Sequence, residues 1–241
     1  FEMPEYTTEV DALGTLKLIE VFRKLNKKVK IYIACTSELY GDVFEIPQNE
    51  ETPFNPVSPY AAAKQFAYTI SKIYRDSYGM FVCCGILFNH ESPRRGSNFV
   101  TRKITTGLGQ ILRGEIKYIE LGNLDAVRDW GHAKDYVEAM YLMLQQENPD
   151  DFVIATGETH TVREFVEKAF ALKGMDIIWV GDLGIDQFGN IRVKTSEKHK
   201  RPLEVKYLCG DSSKARRVLS WKPKITFDQL VNEMVESDTI Q

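Results

Sequence analysis

Apolar residues recur at three-residue steps near the start of the chain. Val10, Leu13, Leu16, Ile19 and Phe22 mark one stripe, and Leu18, Val21 and Leu25 widen it. That period predicts an amphipathic helix. Lys24, Lys27 and Lys28 crowd its end, where cations suit the helix dipole. The short apolar run Val29 to Cys35 predicts a buried strand, and a polar, Pro-containing loop follows from Gly41 to Val57. Ser58 fits an N-cap, Pro59 the first helical position and Gly79 the helix end. Met80 to Phe88 is apolar at alternate and intervening positions alike, as in a parallel strand covered on both faces. Helix, strand, helix, strand in this order predicts a doubly wound α/β fold with a parallel sheet.

Beyond Phe88 the pattern changes to shorter, mixed elements. Asn89 through Lys103 is polar and basic, with Arg94, Arg95, Arg102 and Lys103, and a helix is expected from there to Gly114. Tyr118 to Leu121 reads as a short strand, Gly122-Asn123 as a turn, His132 to Gln146 as a helix and Phe152 to Thr156 as a strand. Thr161 with Glu164, and Thr226 with Gln229, form capping boxes for two further helices, the first ending at Gly174. Asp182 to Pro202 reads as a looser stretch rich in Gly and charge. Residues 1–88 are therefore assigned to the main sheet. Residues 89–241 are assigned mainly to a smaller interleaved α/β lobe, with 132–157 returning to the sheet.

Composition narrows the function classes. The 31 Lys+Arg against 34 Asp+Glu leave a net charge of −3, which argues against a nucleic-acid binder. No apolar run reaches the roughly 18–20 residues of a membrane helix. Cys83 and Cys84 are adjacent and should face opposite sides of one strand. With Cys35 and Cys209 they suggest free thiols in a reducing, cytoplasmic setting rather than a disulfide framework. The four His and four Cys show no metal-ligand spacing.

Two signals carry chemistry. Tyr60 and Lys64 are four residues apart, so on a helix they share a face. A free phenol titrates near 10, and a neighbouring ammonium is expected to lower that value and make Tyr60 a better base. Alone, a Tyr four residues before a Lys is commonplace. The second signal is Thr36-Ser37-Glu38-Leu39-Tyr40-Gly41 at a strand end. Ligands of open parallel sheets bind there, although a polar strand end entering a turn looks the same.

Together, a strand ending in Thr36 and a helix opening Ser-Pro-Tyr-x-x-x-Lys resemble the extended short-chain dehydrogenase/reductase family. The resemblance implies that Thr36 bonds a substrate oxygen, Tyr60 exchanges its proton, and Lys64 tunes Tyr60 and holds the cofactor ribose. Glu38 narrows it further. A dehydratase needs a base for one carbon and an acid for the next, which one carboxylate can supply in turn. Leu87 to Gly96, Asn98 to Lys103, Leu121 to Asp125, Arg128 to Tyr136, Ile154 to Gly157 and Arg201 to Val205 all resemble the GDP-mannose 4,6-dehydratase family.

That likeness implies a Rossmann-type fold. Residues 1–88 would be a partial dinucleotide-binding domain, and the smaller lobe would bind the nucleotide sugar. It implies a hydro-lyase that takes GDP-mannose to GDP-4-dehydro-6-deoxy-mannose through NADP, the first step of GDP-fucose synthesis. It also implies a homo-oligomer, dimer or tetramer. Tyr6, His90 and Arg95 join Tyr60 and Lys64 as implied cofactor contacts. Ser37, Asn89, Val100, Lys103, Arg128, Arg201 and Glu204 are implied substrate contacts, the two arginines on the diphosphate. The alternatives are a related nucleotide-sugar epimerase or reductase, or a non-catalytic sugar-nucleotide-binding fragment.

Gly107-Leu108-Gly109 is not a dinucleotide fingerprint, because it lacks a third glycine and sits inside a predicted helix. Trp130, Trp179 and Trp221 are expected to be packing residues. The chain opens on Phe1 rather than Met, and the phosphate-cradling turn of such folds is missing. Roughly 100 or more upstream residues carrying that turn are expected, supplying a second neighbour to the Val29–Cys35 strand.

Overall fold

The computed structural model describes residues 2–25, 28–199, 203, 205 and 207–240. The first helical run is α1 (Pro4–Thr7), a π turn (Thr8–Leu13) and α2 (Gly14–Lys24). β1 (Lys30–Thr36) leads through a 3-10 turn (Ser37–Leu39) and an irregular loop into α3 (Pro59–Tyr78), then β2 (Phe81–Leu87). Local chemistry explains α3. The Ser58 side chain accepts from Ala61 N, Pro59 opens the helix, and Gly79 ends it at φ 61°, a conformation that suits a residue without Cβ.

Short elements follow: β3 (Asn89–Glu91), α4 (Val100–Leu112), β4 (Ile119–Leu121), β5 (Val127–Arg128), β6 (Trp130–His132) and α5 (Ala133–Gln145). The chain continues with β7 (Phe152–Ile154), β8 (His160–Thr161), α6 (Val162–Ala171), β9 (Ile177–Val180), β10 (Leu183–Asp186), β11 (Ile191–Thr195), α7 (Ser213–Leu219) and α8 (Phe227–Thr239). Both capping boxes form, at Thr161–Glu164 and Thr226–Gln229.

The main sheet has the order β1-β2-β7, all parallel, with Thr36 level with Leu87 and Leu87 level with Ile154. Its strands therefore end together, and Thr36, Asn89 and Thr156 leave the sheet on one side. β1 pairs with β2 alone among the described residues. Alternation splits β2 between two layers. Val82, Cys84 and Ile86 pack with Ile19, Ala67 and Tyr68, whereas Cys83 and Leu87 pack with Tyr136, Met143 and Trp221. The two cysteines do face opposite layers, and all four thiols are free.

The stretch expected to be loose is a correction. Ile177–Val180, Leu183–Asp186 and Ile191–Thr195 form an antiparallel hairpin and a third strand that runs parallel to β4. Asp186 organises the β10–β11 turn by accepting from the amides of Phe188 and Asn190 and from Arg192.

The first helical run is a second correction. Ala12 and Ile19 are buried, but Val10, Leu13, Leu18, Val21 and Leu25 are exposed, so most of the expected apolar face points outward. The helix docks on α3 through its other side.

The second cluster joins α4, α6 and α8, with Ile104, Leu108, Phe165, Phe170, Leu230 and Met234 buried. Trp130 and Trp221 are buried packing residues, and Trp179 lies against the second cluster. Gly107 is where α4 meets β4: a Cβ there would come 2.2 Å from Ile119 Cγ2. Ile119 is β-branched and stiff. Gly107→Ala should therefore destabilise the protein by about 1–3 kcal/mol, the usual penalty of overpacking. A urea titration with an unchanged midpoint would contradict this.

Candidate active site

The site starts where β1 ends. Thr36 is the N-cap of the 3-10 turn, and its Oγ1 accepts from Glu38 N at 3.2 Å. The turn brings Glu38 back to the mouth of the sheet and buries Ser37. Tyr40, on the same turn, is a core residue: it is fully buried between Phe54 and Phe88 and donates to Asn49 O at 2.6 Å.

Ser58 and Pro59 fix the start of α3, which presents Tyr60 one residue inside it. Tyr60 hydrogen-bonds Thr36, and the Glu38 carboxylate is close enough to act on its charge. Lys64, one turn on, lies 5.8 Å from the Tyr60 ring centre. Thr36, Glu38, Tyr60 and Lys64 thus converge at the carboxyl end of β1.

The charge balance differs from the sequence expectation. Tyr60 titrates above its ordinary value, not below it. Although 41% of the residue remains exposed, partial burial disfavours the phenolate more than Lys64 favours it, and Asp11 adds to that penalty. The sequence places Lys64 beside the phenol but not Asp11, whose carboxylate binds Lys64 Nζ at 2.9 Å. Burial alone would lower the Lys64 pKa, but the Asp11 bond and the neighbouring Tyr60 raise it.

The other expected contacts fall into three groups. Asn89 and His90 lie on β3, just past the carboxyl end of β2. His90 Nδ1 donates to Phe88 O at 2.9 Å and its ring stacks on Tyr136 at 4.8 Å. Nε2 is left as an acceptor. Burial, with Arg95 adding, holds this histidine below its ordinary pKa and so neutral. Arg95 Nε lies 3.0 Å from the buried Glu91 carboxylate, and its guanidinium covers Phe99 at 3.5 Å. Tyr6 sits on α1, 63% exposed, on the helical run that packs on α3.

The second group lies on the smaller lobe. Val100 opens α4 and Lys103 follows in its first turn. Lys103 Nζ is 3.4 Å from both ring nitrogens of His199. Burial lowers the pKa of each, and the cations around them, Lys198 included, lower it further. His199 gave no sequence signal, because it lies in the stretch read as loose. Arg128 is buried on β5 and donates to Val127 O at 2.9 Å. Arg201 and Glu204, the third group, lie outside the described residues.

Asp129, next to Arg128, ties the lobes together. Its carboxylate accepts from Thr156 N and Oγ1, Gly157 N and Gly210 N, between 2.6 and 3.2 Å. This fully buried acid fixes the Arg128 strand against the end of β7. A surface hollow between α6 and α8, lined by His160, Glu164, Lys168 and Phe227, shares no residue with the site.

Comparison with known proteins gives the family. The family described as GDP-mannose 4,6 dehydratase matches residues 1–234. The chain belongs to that family. It is 55% identical over 246 residues to GDP-mannose 4,6 dehydratase of Drosophila melanogaster, a match covering 99% of the chain and 62% of the relative. It is 57% identical over 244 residues to GDP-mannose 4,6 dehydratase 2 of Caenorhabditis elegans, covering 99% and 64%. The chain therefore spans less than two thirds of the length of these relatives. The structure of RMD from Pseudomonas aeruginosa complexed with NADPH superposes with a TM-score of 0.85 over 99% of this chain and 76% of that one, at 20% identity. That likeness establishes the Rossmann-type fold.

The residues present fit one end of a nicotinamide cofactor. A phenol and an ammonium side by side at the carboxyl end of a parallel sheet can meet ribose hydroxyls and a reacting carbon. The neutral Nε2 of His90 adds an acceptor there. Among the described residues no glycine-rich turn joins a main-sheet strand to a helix.

Proposed function

We propose that the chain carries the catalytic and sugar-nucleotide-binding part of a GDP-mannose 4,6-dehydratase, a hydro-lyase yielding GDP-4-dehydro-6-deoxy-mannose. The observation that carries this reading is the convergence of Thr36, Glu38, Tyr60 and Lys64 at one strand end. A hydroxyl, a carboxylate, a phenol and an ammonium are the groups that oxidation at C4 followed by loss of water from C5 and C6 requires. Glu38 favours the dehydratase over an epimerase or reductase, which have no elimination to perform.

Tyr60, in its phenolate form, takes the proton of the C4 hydroxyl, with the Thr36 hydroxyl hydrogen-bonded to the same oxygen. Lys64 and His90 would hold the riboside end of NADP, and Tyr6 and Arg95 would contact it from α1 and the loop before α4. NADP, when bound, supplies the hydride acceptor and donor. With C4 oxidised, the C5 proton becomes acidic. Glu38 removes it and delivers that proton to the departing C6 hydroxyl, which leaves as water; the product would be complete once hydride returned to C6 and a solvent proton to C5. Ser37 and Asn89 flank the sugar. Val100, Lys103, Arg128, Arg201 and Glu204 receive the nucleotide, with the arginines on the diphosphate, where a forked guanidinium suits two oxygens.

A second copy of the chain is the proposed partner. Leu18 and Val21 on α2 and Phe66 and Ile73 on α3 are exposed on adjacent helices, which supports a homo-oligomer paired through this face. No described helix is long and apolar enough to cross a membrane. Free thiols in the core fit the cytoplasm.

The direct test incubates the full-length protein with GDP-mannose and NADP and weighs the product. Loss of one water is expected; an unchanged mass would sink the reading. Glu38→Gln keeps the shape of the side chain and removes the base. Turnover should fall roughly 10²–10⁴-fold while GDP affinity, measured by calorimetry, stays near wild type. Near-normal turnover would take Glu38 out of the mechanism.

A further inference from the structure

The π turn at Thr8–Leu13 interrupts an otherwise α-helical run and packs against α3. Such interruptions add a residue to the turn and re-aim its side chains, often beside functional groups. Here the re-aimed side chain is Asp11. Its Oδ1 lies 2.9 Å from Lys64 Nζ, and both side chains are largely shielded, at 22% and 17% exposure. A shielded pair of this kind is screened less than a surface ion pair.

The groups around it define the consequence. Tyr60 faces Lys64 on its own helix, Asp11 on the π turn, Thr36 on β1 and Glu38 on the 3-10 turn. Lys64 faces Asp11, Tyr60 and the Cys35 thiol on β1. Among the described carboxylates that act on the phenol, Asp11 also binds the ammonium. It opposes Lys64 at the point where Lys64 acts.

We propose that Asp11 is a positioning residue of the Tyr60–Lys64 pair: its carboxylate holds the Lys64 ammonium in place and offsets part of the field that ammonium exerts on Tyr60. The proposal rests on the reading of Tyr60 as the proton-exchanging group. It gives the pair a further member, whose charge opposes ionisation of the phenol.

The test titrates Tyr60 in the full chain without ligands. Carbon-13 NMR of protein labelled at the tyrosine ring would follow each phenol, with Tyr60→Phe identifying the Tyr60 signal. Asp11→Asn keeps the shape and a hydrogen-bond acceptor but removes the charge. The Tyr60 midpoint should move to lower pH by roughly one unit. An unmoved midpoint in the folded variant overturns the proposal. Asp11→Glu, which keeps the charge, should leave the midpoint near wild type, and a fall as large as that of Asp11→Asn overturns it too. If the Asn variant does not fold, the Glu variant decides. In the full-length protein, the acid limb of the dehydration pH profile should move the same way in Asp11→Asn, with KM unchanged. Absence of turnover in wild type would count against the dehydratase reading and leave the titration to judge Asp11.

Discussion

Replacing Tyr60 by Phe should stop the reaction at its first step. The variant keeps the ring, so α3 and its packing are expected to be intact, but the base that the proposed mechanism uses for the C4 proton is gone. A lost general base typically lowers the rate roughly 10²–10⁴-fold. The informative measurement is a single turnover of the full-length protein, followed by the absorbance of reduced nicotinamide. In wild type the reduced cofactor should rise and decay as hydride leaves C4 and returns to C6. In Tyr60→Phe the rise itself should be missing, whereas Glu38→Gln should show the rise without the decay. A normal rise in Tyr60→Phe would move the base elsewhere, with Thr36 the nearest hydroxyl.

The largest expected effect on stability lies behind the site. Arg75 on α3 reaches Asp151 with both terminal nitrogens, at 2.8 Å each, and Asp151 also accepts from Cys84 N at 3.0 Å. The pair ties α3, β2 and the start of β7 together, and both side chains are shielded from water. Burial would raise the Asp151 pKa, but Arg75 and the other donors hold it below its ordinary value. Arg75→Ala leaves that carboxylate buried without a cation, which should cost about 3–5 kcal/mol.

The pH dependence should change sign as well. In wild type the Asp151 contribution is present above the unfolded carboxylate pKa, about 3.9, and is lost as pH falls through the lower folded value. In the variant the acid is left with burial dominant and a raised pKa, so stability at that site should fall as pH rises. Urea titrations at pH 4 and pH 7 would read both effects. Equal midpoints for wild type and variant at pH 7 would remove the pair from the list of stabilising contacts.

Much of this was legible because it is local. Ser58, Pro59 and Gly79 bound α3 through caps that depend on a few neighbouring residues, and the capping boxes at Thr161 and Thr226 do the same. Tyr60 and Lys64 share a face because helical spacing puts them there. What sequence could not show is long-range. Asn89–Glu91 pairs with Trp130–His132, and Val127–Arg128 with His160–Thr161, in strands too short to show a period. The β9–β10–β11 sheet was hidden by its glycines and charges, and its turn depends on Asp186. The sequence overstates the acidity of Tyr60 for the same reason, since Asp11 arrives from a separate helical run through a π turn that no propensity announces.

The neighbouring thiols of β2 report on the two faces of the main sheet separately. Cys83 belongs to the layer of α5 and α7, and Cys84 to the layer of α2 and α3. Burial pushes the Cys83 thiol up to about 12, and a hydrogen bond with the Cys35 thiol, with burial adding, pushes Cys84 up as well, so neither is a ready nucleophile while its layer is closed. Modification by a thiol reagent therefore has to wait for local opening. Two consecutive residues become separate clocks for two sides of one strand, and the order in which they react tells which layer lifts first.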